Sequence, residues 1–229
     1  MISKRLKKIS EYAHGFENLI DIGTDHAYIP IHLVKNNYVE NAVAADVGKG
    51  PLLSADKNIS DNKLEGNITT ILSDGFKNVE IKENTVAIIA GMGGMLINKI
   101  LSDSDSKVKK LNRLIVQPQR DVYETRKKVH ELGFEIIDED FIEDEGKHYV
   151  IIVCEKGNEK YTELEYKYGK IVLETKNKVF RNFLNKQIAN YEKIKSKLKR
   201  ENTEVAIKRI KEIDSLINEF KEVLDTYEA

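Results

Sequence analysis

The sequence predicts an α/β fold, a parallel sheet covered on both faces, followed by a helical appendage. Two observations carry this. Short apolar, β-branched runs alternate with helix-compatible segments through the first two thirds of the chain. Beyond residue 159 the composition shifts to Lys, Glu, Leu, Ile and Asn without a single proline.

In order, strands are expected at 19–22, 41–46, 68–73, 86–90 and 113–117, with helices at 29–36, 50–62, 94–102 and 123–132. Each helix follows a strand closely, as right-handed crossovers require. After Gly133 the rhythm changes. Residues 134–142 and 148–155 are strand-like runs separated by Glu143, Asp144, Glu145 and Gly146, and should pair as an antiparallel hairpin. Residues 155–159 read as a hinge, so domains are expected at 1–157 and 158–229. In the second, Ala206, Ile210, Ile213, Ile217, Phe220, Leu224 and Tyr227 alternate in steps of four and three, the pattern of a coiled coil. Leu184, Ile188, Tyr191 and Leu198 largely match it, with Lys195 as the exception. A break near 201–203 would fold the two segments into an antiparallel hairpin, closed within one chain or between two.

At 229 residues the chain can hold an α/β core plus an appendage. With 41% hydrophobic and 33% charged residues it should be soluble and globular, and no apolar run approaches the roughly 20 residues needed to span a bilayer. No secretory signal is visible, and a cytoplasmic location is expected. Cys154 is the single cysteine and sits in an apolar run, which fits a buried thiol rather than a disulfide. The net charge of −1 hides a partition. Residues 1–8 carry four bases and no acid, and 160–211 carry 15 bases against 6 acids. Between them, 9–159 hold 17 bases and 26 acids. Two basic stretches flank an acidic body, which suits a polyanionic partner or merely a solvated helix face.

The first strand ends in Asp21, Ile22, Gly23, Thr24, Asp25, His26, Ala27 and Tyr28. The spacing approximates Gly-x-Gly-x-x-Gly, but Asp25 and Tyr28 occupy the second and third glycine positions. An anion there would repel two phosphates. S-adenosylmethionine has no phosphates and carries a cationic sulfonium, so it suits this turn better than NAD or ATP. Ligands in such sheets lie beyond the carboxyl ends of the strands. Asp46, ending the second strand, can accept from ribose hydroxyls or cap the turn at Gly48. Asp74, with Ser73 and Gly75, can accept from an adenine amine or form an Asp-Gly turn. Gly91, Met92, Gly93 and Gly94 allow close backbone approach or simply lead into a helix. Gln117 could read a base edge or shape the turn at Pro118. His14, His32, His130 and His148 lack metal-site spacing, so no metal is expected. There is no Walker loop and no Gly-x-Ser-x-Gly elbow.

Together Asp21-Ile-Gly-Thr-Asp-His-Ala-Tyr-Ile-Pro30, Ala45-Asp46-Val47, Gly50-Pro51-Leu52, Ser73-Asp74-Gly75, Gly91-Met92-Gly93-Gly94 and Gln117-Pro118-Gln119 resemble the bacterial tRNA adenine-N1 methyltransferase family of the TrmK type, which acts on the adenine at tRNA position 22. The resemblance spans essentially the whole chain. It implies a class I methyltransferase (Rossmann-like) domain binding S-adenosyl-L-methionine through Asp21, Gly23, Ala27, Asp46, Asp74, Gly75, Gly91, Met92 and Gly93. Asp25, His26 and Tyr28 would then face the donor and the target base: Asp25 as the anion beside the cation formed on the base, Tyr28 as a stacking face or a helix-packing residue, His26 bonding to the base or locking the turn. The helical hairpin and the N-terminal bases Lys4, Arg5 and Lys7 would help hold tRNA. A monomer without membrane or metal partners is expected. The alternatives are a methyltransferase of another RNA base or a small molecule, disfavoured by the basic hairpin, and a non-catalytic RNA-binding protein, disfavoured by acids at three strand ends.

Overall fold

The structure, a computed structural model, describes residues 2–201 and 203–227. The chain divides into two compact units, 1–167 and 168–229.

The first unit is built on a seven-stranded sheet of order β3-β2-β1-β4-β5-β7-β6. Its strands are β1 (Asn18–Ile22), β2 (Asn41–Asp46), β3 (Ile68–Leu72), β4 (Thr85–Met92), β5 (Arg113–Pro118), β6 (Phe134–Asp144) and β7 (Lys147–Lys156). The first five run parallel, while β7 is antiparallel to both β5 and β6. Ile88, Ile89, Leu114, Ile115 and Val116 are fully buried, as expected for central parallel strands covered on both faces. The chain winds from β1 outward to β3 and then returns to β4 beside β1. That reversal opens a crevice between the carboxyl ends of β1 and β4.

Packed on the sheet are α1 (Lys4–Glu11), α2 (Tyr28–Lys35), α3 (Lys49–Asp61), α4 (Gly94–Asp103) and α6 (Val122–Glu131), while α5 (Asp105–Val108) packs on α4 and α7 (Glu163–Tyr168) follows the hairpin. The four helices expected between strands and the β6–β7 hairpin are present with small shifts of boundary. The N-terminal segment, read only as basic, is a helix. Ser3 caps α1 by accepting from the Leu6 amide at 3.3 Å, and Ile9 and Ser10 are buried.

The boundary between units falls at 167/168 rather than 157/158. Arg126 explains the difference. Its guanidinium donates to the carbonyls of Tyr166 at 2.8 Å and Lys167 at 3.2 Å, tying α7 to the first unit. The same group pairs with Glu139 at 2.7 Å, and both side chains are almost wholly buried. Cys154 is buried beside this cluster, and burial raises its thiol pKa well above the ordinary value.

The second unit comprises α8 (Lys170–Glu174), α9 (Lys178–Leu198) and α10 (Glu204–Asp225). Tyr191 lies 6.1 Å from Phe220 between ring centroids and Lys195 pairs with Asp214, so α9 and α10 run antiparallel. Ala206, Ile213, Ile217, Phe220 and Tyr227 of the expected apolar stripe are buried, with Leu184 on α9. Lys195, the exception in that stripe, faces an acid. The break near 201–203 is seen at its flanks, Asn202 lying outside the described residues.

Candidate active site

The carboxyl end of β1 is held open by backbone geometry. Gly23, Asp25 and Ala27 all have positive φ, at 77°, 46° and 56°. Only glycine adopts this region freely, and Asn and Asp visit it more readily than most other residues. The loop is anchored to β2, because the amides of Gly23 and Thr24 both donate to the Ala45 carbonyl at 2.8 and 3.2 Å. Gly23 admits no side chain: a Cβ there would lie 2.1 Å from the Met92 ε-carbon. Met92 thus covers the turn from β4.

Asp21 is buried beneath this turn and accepts a hydrogen bond from Thr24 Oγ1 at 2.6 Å. Burial raises its pKa to about 6, partly offset by the Thr24 hydroxyl and reinforced by the negative charge of Asp46. A carboxylate so placed gains from a cationic ligand.

Opposite, β4 shifts register against β5 between Ala90 and Met92, with Gly91 at φ 81°. The bulge exposes its backbone to a cleft of about 370 Å³ lined by Asp21, Gly23, Thr24, Asp25, Tyr28 and Gly91 among others. A Cβ on Gly91 would touch nothing nearer than 3.9 Å, so glycine there leaves room rather than relieving a clash. Arg5 and Gln119 also line the cleft. Neither is among the cofactor residues that the sequence suggests. Leu6 and Ile9 on the face of a capped N-terminal helix, and the second glutamine of Gln117-Pro118-Gln119, were the available signals.

The other predicted residues are distributed around this cleft. Asp25 is exposed at its rim, 3.4 Å from His26 Nε2, and Tyr28 is half exposed with its ring 5.2 Å from that of His26. The His26 carbonyl accepts from Asn58 Nδ2 at 3.0 Å, which fixes the turn. Ala27 precedes α2 with its methyl buried in the core. Asp46 Oδ1 accepts the Gly48 amide at 2.7 Å, so one oxygen does cap the turn. Asp74 is exposed and bonded to Lys77 at 2.5 Å, and that lysine holds its pKa below the ordinary carboxylate value. Gly75, at φ 60°, abuts Ile100, where a Cβ would come within 2.8 Å. Gly93 caps α4 under Arg120. Gln117 does not face a ligand as a base reader would. It is fully buried, its Nε2 donating to the Pro118 carbonyl at 3.1 Å and its Oε1 accepting from Arg5 at 2.7 Å. Among the described residues no cluster of His, Cys, Asp and Glu could hold a metal, and no helix is long and apolar enough to cross a membrane.

Residues 19–222 match the family model described as TrmK, tRNA (adenine(22)-N(1))-methyltransferase. The chain belongs to this family. It is 31% identical over 231 residues to the tRNA (adenine(22)-N(1))-methyltransferase of Bacillus subtilis, covering 98% of this chain and 97% of that protein. Two solved structures are similar over nearly the whole chain. That of TrmK from M. capricolum, in complex with S-adenosyl-homocysteine, has a TM-score of 0.83 at 30% identity and covers 99% of each chain. That of a Streptococcus pneumoniae protein in complex with S-adenosyl-L-methionine has a TM-score of 0.77 at 33% identity, covering 95% of this chain and all of the other. This TrmK-family chain is a class I, S-adenosylmethionine-dependent tRNA (adenine-N1)-methyltransferase. The fit of the cofactor to these residues rests on a buried carboxylate whose side-chain partner among the described residues is a hydroxyl, an open bulge at Gly91, and a turn whose acid would repel a pyrophosphate.

Proposed function

We propose that the cleft between β1 and β4 takes the methionine end of S-adenosylmethionine, with Asp21 receiving its ammonium, and that Asp46 Oδ2 accepts from the ribose. Asp25, His26 and Tyr28 stand at the rim and line the approach of the adenine at tRNA position 22. The cofactor supplies a methyl group activated on a cationic sulfur. The neutral N1 of adenine already offers an in-plane lone pair, so these residues need to position the base and balance charge rather than remove a proton. Asp25 provides an anion beside the cation that forms on the base, and the Tyr28 ring offers it a stacking face. Ala27, Gly23, Gly91, Met92 and Gly93 shape the backbone around the donor. Asp74 and Gly75 lie farther out, and Asp74 would have to exchange Lys77 for the adenine amine.

The observation that carries this reading is Asp21, a buried carboxylate with its pKa raised to about 6 at the mouth of a strand crevice. In the second unit, the exposed Lys186, Lys193, Lys197, Lys199 and Arg200 of α9 and its C-terminal turn offer phosphate contacts. We take the chain to act as a cytoplasmic monomer. Incubation with unmodified tRNA and S-adenosylmethionine, followed by nucleoside mapping, should yield N1-methyladenosine at position 22. Methylation at another base or atom overturns the assignment.

A further inference from the structure

Arg5 enters the same cleft as Asp21 from a helix that precedes the sheet. The strands of the hairpin side fix it from three directions. Buried Gln117, oriented by its own bond to the Pro118 carbonyl, accepts from Arg5 Nη1 at 2.7 Å. The Tyr149 ring centroid lies 5.2 Å from the guanidinium carbon. Asp144 accepts the Arg5 backbone amide at 3.0 Å, which leaves the side chain's charge uncompensated. Among the described residues the guanidinium forms no ion pair. Its Nη1 lies 3.9 Å from where a Gly91 Cβ would project, so it faces the bulged backbone of β4.

One cleft therefore presents a buried carboxylate and a held guanidinium. A free amino acid end carries the complementary pair, an ammonium and a carboxylate. We infer that Arg5 is a cofactor-binding residue that receives the α-carboxylate of the methionine end while Asp21 receives the ammonium. This rests on the reading of the cleft as the cofactor site. A guanidinium can engage both carboxylate oxygens in parallel, which a lysine cannot. The placement revises the expectation that Arg5 contacts tRNA phosphates, a role that the exposed Lys4 and Lys7 of the same helix suit better.

Calorimetric titration of the full-length protein with two probes tests this. S-adenosylhomocysteine carries the carboxylate; its decarboxylated analogue keeps the ammonium, ribose and adenine. Wild type should bind S-adenosylhomocysteine more tightly than the analogue by roughly 10- to 100-fold, the range of a charge-assisted hydrogen bond. Arg5→Gln should lose that preference while binding the analogue as wild type does, and Arg5→Lys should recover part of it. Equal losses for both probes would assign Arg5 a purely structural role. Unchanged binding of both with weakened tRNA binding would make it a phosphate contact, also overturning the inference. Should Arg5→Gln fail to fold, the wild-type comparison still decides, since equal affinity for the two probes leaves no carboxylate contact. Wild type that bound neither probe would instead defeat the cofactor reading itself.

Discussion

Thr24 Oγ1 donates to Asp21 Oδ2 across 2.6 Å inside a buried turn, giving the carboxylate a hydroxyl as its one side-chain partner among the described residues. Burial wins over that single bond, so the folded pKa rises from 3.8 to about 6. Between these values the folded chain holds a proton that the unfolded chain has released. Stability contributed by this group is therefore present below pH 4 and lost as pH rises to about 6, to the extent of about 3 kcal/mol. Cofactor binding has the opposite sign, because an ammonium selects the ionised carboxylate. Affinity for S-adenosylhomocysteine should fall roughly tenfold per unit below pH 6 and be flat above pH 7. Titrations from pH 5 to 8 check this, and Asp21→Asn should abolish the dependence along with most of the affinity. A flat profile in wild type would mean the carboxylate does not meet the ammonium.

How far the site was legible depended on whether the determining contacts are local. Gly23, Asp25 and Tyr28 belong to one turn, and their departure from a dinucleotide pattern is readable because turn chemistry is set by neighbours in sequence. The β1 to β5 strands were legible for a similar reason, each being a short apolar run between breakers. Arg5 was not, because it gains its setting from Gln117, 112 residues away. Gln117 reads in sequence as available to a base, but Arg5 engages its Oε1 and its Nε2 turns to the Pro118 carbonyl. Asp74 has the spacing of a site residue, while its bond through Oδ2 to Lys77 is a contact that the spacing does not reveal. The hinge composition near 155–159 suggested a boundary that Arg126 moves ten residues later by holding α7.

The Arg126–Glu139 pair is buried on both sides, with relative exposures of 1% and 0%. Burial raises the Glu139 pKa while the adjacent guanidinium lowers it, the burial effect being the larger. Removing one partner leaves the other charge desolvated. Arg126→Met should destabilise the first unit by about 3–5 kcal/mol and release the carbonyls at the end of α7. Chemical denaturation measures the loss, and protection from limited proteolysis near 158–168 should fall with it. A loss below 1 kcal/mol would show that water reaches the pair.

The lysines of the second unit give a salt-dependent prediction. If Lys193, Lys197, Lys199 and Arg200 neutralise phosphates, tRNA affinity should drop steeply between 50 and 200 mM salt, while S-adenosylhomocysteine affinity barely moves. Reversing all four to glutamate should flatten the salt slope and weaken tRNA binding by at least tenfold. Filter binding at several salt concentrations decides this. An unchanged slope in the reversed variant would place the phosphate contacts elsewhere on the chain.

Asp25 tests the charge argument for catalysis. Its side chain is 69% exposed at the rim of the cleft, paired loosely with His26 at 3.4 Å, so removing its charge disturbs no buried network. Its backbone, at φ 46°, tolerates Asn as readily as Asp. Asp25→Asn thus keeps size, turn geometry and one acceptor while deleting the anion proposed to stand beside the cation that forms on the base. Loss of one preorganised charged group should lower the methyl-transfer rate roughly 10²- to 10³-fold, with tRNA and cofactor affinities little changed. Single-turnover transfer to unmodified tRNA reads the chemical step directly. A near-normal rate would leave Asp25 a turn-forming residue, with positioning by Tyr28 and the cofactor carrying the reaction.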